Sequence, residues 1–192
     1  MKADEATRRI EFIVDKTVSD WGNVMLEVAQ TANTMIKDRV IKTGQNAQGE
    51  QYDPYSTNPM HSWCGSMTKS ACGKAQSKYK RKRPKDSTKP LRSFLLEQGY
   101  KEFRELHGRQ TGFVDFAFSG RMWADIQVVS GDDEHKIGRA RISTLSEEQM
   151  NKLAGNTERK GEILNLSQEE TYSLARLIEK RLTDLWRQQG FL

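Results

Sequence analysis

Residues 113–129 read FVDFAFSGRMWADIQVV, and the fold class turns on this stretch. Val114, Phe116 and Phe118 alternate with Asp115 and Ala117. After Ser119-Gly120, Met122, Ala124, Ile126 and Val128 alternate with Trp123, Asp125 and Gln127. Alternation at period two on both sides of a glycine predicts two antiparallel strands, with Gly120 supplying a positive φ at the reversal. Ser130-Gly131-Asp132-Asp133 reads as a second turn, and HKIGRARIST (135–144) as a third strand. The expected core is Val114, Phe116, Phe118, Met122, Ile126, Val128 and Ile142, covered by Leu177, Ile178 and Leu182 of a final helix.

Toward the N-terminus, residues 5–42 carry an apolar stripe at steps of three and four: Ile10, Val14, Val18, Trp21, Met25, Val28, Ala32, Met35 and Val40. That period predicts one long helix, with Gly44 as its stop. Such a helix exceeds what a small core requires, so its projecting half either stays in solvent or packs on a neighbouring subunit. Toward the C-terminus, Ser146 with Gln149 and Ser167 with Glu170 have capping-box spacing and predict two closing helices. Residues 91–106 read as a further helix, interrupted near Gly99. The order is α, long loop, α, three strands, two helices. This is an α+β domain spanning 1–192, with a small antiparallel sheet flanked by a long N-terminal helix and C-terminal helices.

Residues 43–90 break the periodicity. They hold all 4 prolines and both cysteines, and predict an extended, irregular, basic arm inserted within the domain. Of the 192 residues, 35% are hydrophobic and 30% charged, a thin core for the length. The net charge of +5 is concentrated. Residues 69–92 hold ten Lys/Arg and one Asp, leaving the remainder mildly acidic. The run KYKRKRPK (78–85) suits nucleic acid, an acidic protein surface, or a solvated arm. Lys78, Lys80, Arg81, Lys82, Arg83 and Lys85 are its contact candidates. Tyr52, Tyr55, Met60, Trp63, Met67 and Tyr79 punctuate an otherwise polar arm, as interface anchors do. Tyr52, Tyr55 and Trp63, with Trp21 and Met25 of the long helix, are the expected subunit contacts.

Nothing in the pattern marks catalysis. GxSxG, P-loop, HExxH and GxGxxG motifs are missing. His61, Cys64 and Cys72 can supply three zinc ligands but lack the fourth and the usual CxxC knuckle. The acids and histidine of Asp132-Asp133-Glu134-His135 fall at a turn. The reading is therefore no catalytic residue, no metal and no cofactor. No apolar run approaches membrane-spanning length. MKADEATRRIEF lacks the apolar region of a secretory signal, and two cysteines make no disulfide framework, with a reducing cytoplasm as the default expectation.

Four stretches in their order resemble the tail-completion and head–tail connector (neck) proteins of tailed bacteriophages, the virion morphogenesis type. The long helix is followed by RVIKTGQNAQGEQYDPYS (39–56), where Gly44, Gly49, Tyr52, Pro54 and Tyr55 fit a G-x4-G-x2-Y/F-x-P-Y/L pattern. In VDFAFSGRMWADIQVV (114–129), Ser119, Gly120, Met122, Asp125 and Ile126 fit the family's turn. NKLAGNTERKG (151–161) and ILNLSQEETYSLARLI (163–178) place Arg159, Leu164, Leu166, Ser167 and Glu170 as that family's closing helix is introduced. Residues 57–110 depart from the pattern, being longer and more basic. The resemblance implies a non-enzymatic virion protein, forming a homo-oligomeric ring in the neck or upper tail and joining head connector to tail. Its neighbours would be neck, portal or tail-tube proteins, with non-specific contact to packaged DNA possible through the arm. Its place would be the virion, after assembly in the host cytoplasm. The alternative from another class is a small nucleic-acid-binding protein using the basic arm 69–92.

Overall fold

A computed structural model describes residues 3–79, 92–117, 119–131 and 139–188, with backbone only for 3–19 and 130–131. Among the described residues the fold is α+β: six helices and two small antiparallel two-stranded sheets. The helices are α1 (Ala3–Thr43), α2 (Lys69–Lys78), α3 (Gly99–Leu106), α4 (Arg121–Asp125), α5 (Glu147–Lys160) and α6 (Gln168–Gln188). The strands are β1 (Met60–Trp63), β2 (Ser93–Leu96), β3 (Ile126–Gly131) and β4 (Arg139–Thr144). β1 pairs with β2 in the register Met60↔Leu96 to Trp63↔Ser93. β3 pairs with β4 from Ile126↔Thr144 to Gly131↔Arg139.

The long helix is present as its stripe predicts, and Val24, Val28, Ala32, Ile36 and Val40, each four residues after the last, are buried along it. Their burial divides among partners. Val24, Val28 and Ala32 pack with Leu174 of α6, flanked by Trp21, Met35, Leu177, Ile178 and Leu185. Ile36 and Val40 belong to a second cluster with Tyr52, Val114, Met122, Trp123, Ile126 and Ile163. α6 runs antiparallel to α1. Glu170 accepts from Arg39 Nε at 2.9 Å, Arg181 pairs with Glu27, and Gln188 reaches the level of Asp20. Helix α1 is about 60 Å long and α6 about 30 Å. α6 therefore runs beside only the C-terminal half of α1, and residues 3–19 extend past its last described residue.

Both capping predictions hold. Ser146 Oγ accepts from Gln149 N at 3.4 Å. Ser167 Oγ accepts from Glu170 N at 3.2 Å, while Glu170 Oε2 accepts from Ser167 N at 2.7 Å, a complete reciprocal box. At α5 the return bond comes instead from Asp125 at the end of α4. Its Oδ2 accepts from Leu145 N at 3.0 Å and Ser146 N at 2.9 Å. The Ser146 amide beside Asp125 holds its carboxyl below the usual range.

Three expectations are corrected. Residues 113–117 form no strand, because side chains capture the backbone groups that a ladder would use. The Asp115 amide donates to Tyr55 Oη at 3.1 Å, Trp123 Nε1 donates to Asp115 O at 2.9 Å, and the Ala117 amide donates to Asp115 Oδ1 at 2.9 Å. Phe116, the only non-glycine among the described residues with positive φ, takes 51°; Phe118 lies outside them. Next, residues 121–125 are a helical turn. Gly120 does adopt the left-handed conformation, φ 75°, but as the N-cap of α4. Met122 and Trp123, successive in sequence, are both buried, which a strand would forbid. The expected single core is accordingly several clusters. Leu177 and Ile178 lie in the α1–α6 cluster, and Ile142 packs against both that one and the central one.

The third correction concerns 43–110. The stretch holds β1 and α2 where an irregular arm was expected, and β2 precedes a shorter α3 where one helix was expected. Ala71, Ala75, Tyr79, Phe94, Leu96 and Leu106 form a third buried cluster. Cys64 and Cys72, too few for a disulfide framework, are nevertheless joined in a disulfide with Cα atoms 5.1 Å apart. Under this cluster Glu102, 1% exposed, accepts from Lys78 Nζ at 2.6 Å and from the Tyr79 hydroxyl. Burial alone would raise the Glu102 carboxyl, but the hydrogen bonds from Lys78 and Tyr79 hold it below its ordinary value. Burial, with the Glu102 carboxylate, pushes the Tyr79 phenol up to about 12.

Candidate functional site

A cavity of about 790 Å³ opens where four pieces of chain meet: residues 54–56, α3, residues 114–122 and α5. One wall is aromatic and aliphatic, from Tyr55, Tyr100, Phe116, Val114 and Met122. The rings interlock at right angles: Tyr55 on Tyr100 at 5.7 Å and Phe116 on Tyr52 at 4.9 Å. The opposite wall is the face of α5 presenting Gln149, Lys152, Asn156, Arg159 and Lys160.

A buried polar knot fixes the floor. Arg104 is 1% exposed, and its Nη2 donates to Asp115 Oδ1 at 3.0 Å and Oδ2 at 3.2 Å. Its Nε donates to Gln110 O at 3.0 Å, and its guanidinium carbon stands 4.3 Å from the centre of the Tyr55 ring. Tyr55 Oη donates to Asp115 Oδ1 at 2.7 Å. Burial and then the Asp115 carboxylate push the Tyr55 phenol well above its ordinary value. Arginine, aspartate and tyrosine thus neutralise and orient one another, and the knot holds residues 114–117 in their non-strand path.

The rim and its lining are less satisfied. Lys160 Nζ donates to Asp53 O at 3.1 Å, closing α5 onto the 53–54 strap. Arg159 donates to Asn156 Oδ1 at 3.4 Å. Lys152 pairs with Glu148 one turn back, both well exposed, an arrangement of little energetic weight. Gln149 is 94% buried, and its Oε1 has no hydrogen-bond partner. The cavity thus combines an apolar lining with three cationic side chains, Lys152, Arg159 and Lys160.

The residues singled out in the sequence do not converge. Tyr52 is 5% exposed and is used inside its own chain, its hydroxyl donating to Glu162 O at 3.3 Å; it is a core residue, not a contact to another chain. Tyr55 belongs to the knot. Trp21 packs in the α1–α6 cluster, and Met25 is half-buried on the same helix. Trp63, at 62%, is the most exposed large hydrophobic among the described residues, and Leu95, at 45%, shares the open face of the β1–β2 ladder. Lys78 is engaged with Glu102, while Lys80, Arg81, Lys82, Arg83 and Lys85 fall outside the described residues, as does Asp132-Asp133-Glu134-His135. The disulfide occupies two of the three imagined zinc ligands, and no group of three His, Cys, Asp or Glu side chains among the described residues could hold a metal ion. Gln149 and Arg104 went unrecognised because a buried glutamine or arginine reads like any polar helix position. Among the described residues, no helix is long and apolar enough to cross a membrane. No protein-family model, curated protein or solved structure matches the chain.

Proposed function

We propose that this protein is a structural subunit of a homo-oligomeric ring, of the tail-completion or head–tail connector kind that its motifs resemble, and that it performs no catalysis. One observation carries the reading. The first seventeen residues of α1 run about 25 Å past the last described residue of α6. In sequence, Ile10, Val14 and Val18 continue there the apolar stripe that α6 covers further along. An apolar helix face of that length is stable in water only when another chain covers it. The exposed Trp63 and Leu95 add a second apolar patch on another face. Two unlike patches on one chain suit the head-to-tail contacts from which closed rings are built. Binding of nucleic acid by the basic run 78–85 is the competing reading, and it requires no self-association. Native mass spectrometry of the purified chain separates the two. The ring reading predicts one closed species of fixed copy number at moderate and high salt. A monomer at every concentration that gains mass only with DNA would replace it with the alternative.

A further inference from the structure

The cavity beside α5 has no role in the ring reading, yet its lining is chemically one-sided. Lys152, Arg159, Lys160 and Arg104 line it, and no aspartate or glutamate among the described residues does. Asp115 neutralises Arg104, which leaves the other three cations without a carboxylate inside the chamber. We propose that this cavity binds a small organic anion. Its aromatic body would lie against Tyr55, Tyr100 and Phe116, and its phosphate or carboxylate head would be held by Lys152 and Arg159 of α5. The proposal goes beyond the ring and does not rest on it, because every lining residue belongs to one chain.

Three observations support it. The first is size and lining. A volume of about 790 Å³ falls within the roughly 300–1,000 Å³ of small-molecule sites, which are mostly apolar with a few placed polar groups. The second is the spacing on α5. Lys152, Asn156 and Arg159 follow one another at steps of four and three, so they share one face of the helix. Lys152 and Arg159 stand about 10 Å apart along the axis, with the Asn156 amide between them, and their long side chains can converge on one head group there. The third is how weakly these donors are held. Asn156 Nδ2 donates to the Met122 thioether at 3.7 Å, a poor acceptor. Among the described residues, Arg159 makes no ion pair, and its one hydrogen bond, to Asn156 Oδ1, is 3.4 Å long. Lys152 meets only Glu148, both side chains being exposed. An anion would exchange these contacts for charge-assisted hydrogen bonds, and the guanidinium fork of Arg159 matches two oxygens of one head. Lys160 has a different part. The carbonyls of Asp53 and Pro54 hold its Nζ at 3.1 and 3.5 Å, so it closes the strap and adds charge without gripping the head.

Isothermal titration calorimetry with adenosine monophosphate and with naphthoate tests this, since both anions carry an aromatic body and they differ in the head. At least one should bind saturably at one site per chain, and their relative affinity identifies the head. Adenosine and naphthylmethanol, the same bodies without charge, should bind about tenfold or more weakly, and so should inorganic phosphate, a head without a body. K152Q/R159Q removes the grip at two exposed positions. It should keep the parent's circular dichroism and melting temperature while affinity falls about tenfold or more. K69Q/K74Q makes the same change of charge at two exposed positions of α2 and should leave affinity unchanged. Absence of saturable binding by both anions overturns the proposal. So does binding that ignores K152Q/R159Q, binding that both variants weaken equally, or uncharged bodies that bind as tightly as the anions.

Discussion

Replacing Asp115 by alanine removes the single carboxylate on which Arg104, Tyr55 and the Ala117 amide converge. Arg104, at 1% exposure, would keep its charge with the Asp115 carboxylate gone, since its guanidinium does not titrate in any accessible range. Breaking a buried pair by removing one partner costs about 3–5 kcal/mol. Asp115→Asn keeps the shape and an acceptor but loses the charge, and should cost about 1–3 kcal/mol. Tyr55→Phe removes two hydrogen bonds, the one its hydroxyl donates to Asp115 Oδ1 and the one it accepts from the Asp115 amide, about 2–4 kcal/mol together. Because both residues act through the same oxygen, the Tyr55→Phe/Asp115→Ala double variant should lose less than the sum of the singles by about 1 kcal/mol. Urea unfolding followed by circular dichroism reads these values as shifts in midpoint at constant slope. A loss under about 1 kcal/mol for Asp115→Ala, or strict additivity in the cycle, would refute the account of the knot as the element that fixes residues 114–117.

Replacing both Cys64 and Cys72 by serine releases a loop of eight residues' separation and should lower stability by about 2.5 kcal/mol in the same unfolding assay. Gly99→Ala places a Cβ 2.0 Å from Asn58 O at a φ of 52°, and should cost at least about 2 kcal/mol; Gly120→Ala, with a φ of 75° but open space around it, should cost only the backbone strain of about 1 kcal/mol. The Tyr79 phenol is raised to about 12 in the folded chain against about 10 unfolded. The folded state holds that proton more tightly, so this contribution is complete below pH about 10 and disappears as pH rises through 12; Tyr79→Phe lacks it at every pH, so its stability should fall less steeply between pH 10 and 12 than the parent's. Trp63→Ser should change subunit stability by less than about 1 kcal/mol and yet weaken assembly, measured by analytical ultracentrifugation.

The elements legible in the sequence were those whose signal is local and repeated. The three- and four-residue steps from Ile10 to Val40 made α1 readable along most of its length, although the buried line runs through Val24 and Ile36 rather than Met25 and Met35, and the capping pairs placed the starts of α5 and α6. Residues 113–125 misled because their apolar alternation is real but serves no ladder. Tyr55, more than fifty residues away, and Trp123 take the backbone groups of Asp115, and no local pattern announces so distant a partner. The β1–β2 pair was hidden for a related reason. Four-residue strands of MHSW and SFLL carry too few alternations to stand out, and the disulfide and the Glu102 network that support them link α2 to β1 and α3. The cavity was not legible at all, since it exists only where four separated pieces of chain meet.

The account stands on self-association through unlike surfaces of a single chain. Charge-detection or native mass spectrometry of the parent protein, run beside negative-stain imaging of the same sample, measures it directly. The account predicts a closed annulus of one copy number, persisting at high salt through the apolar α1 contact. A monodisperse monomer across the accessible concentration range, with no annular particles, would contradict it.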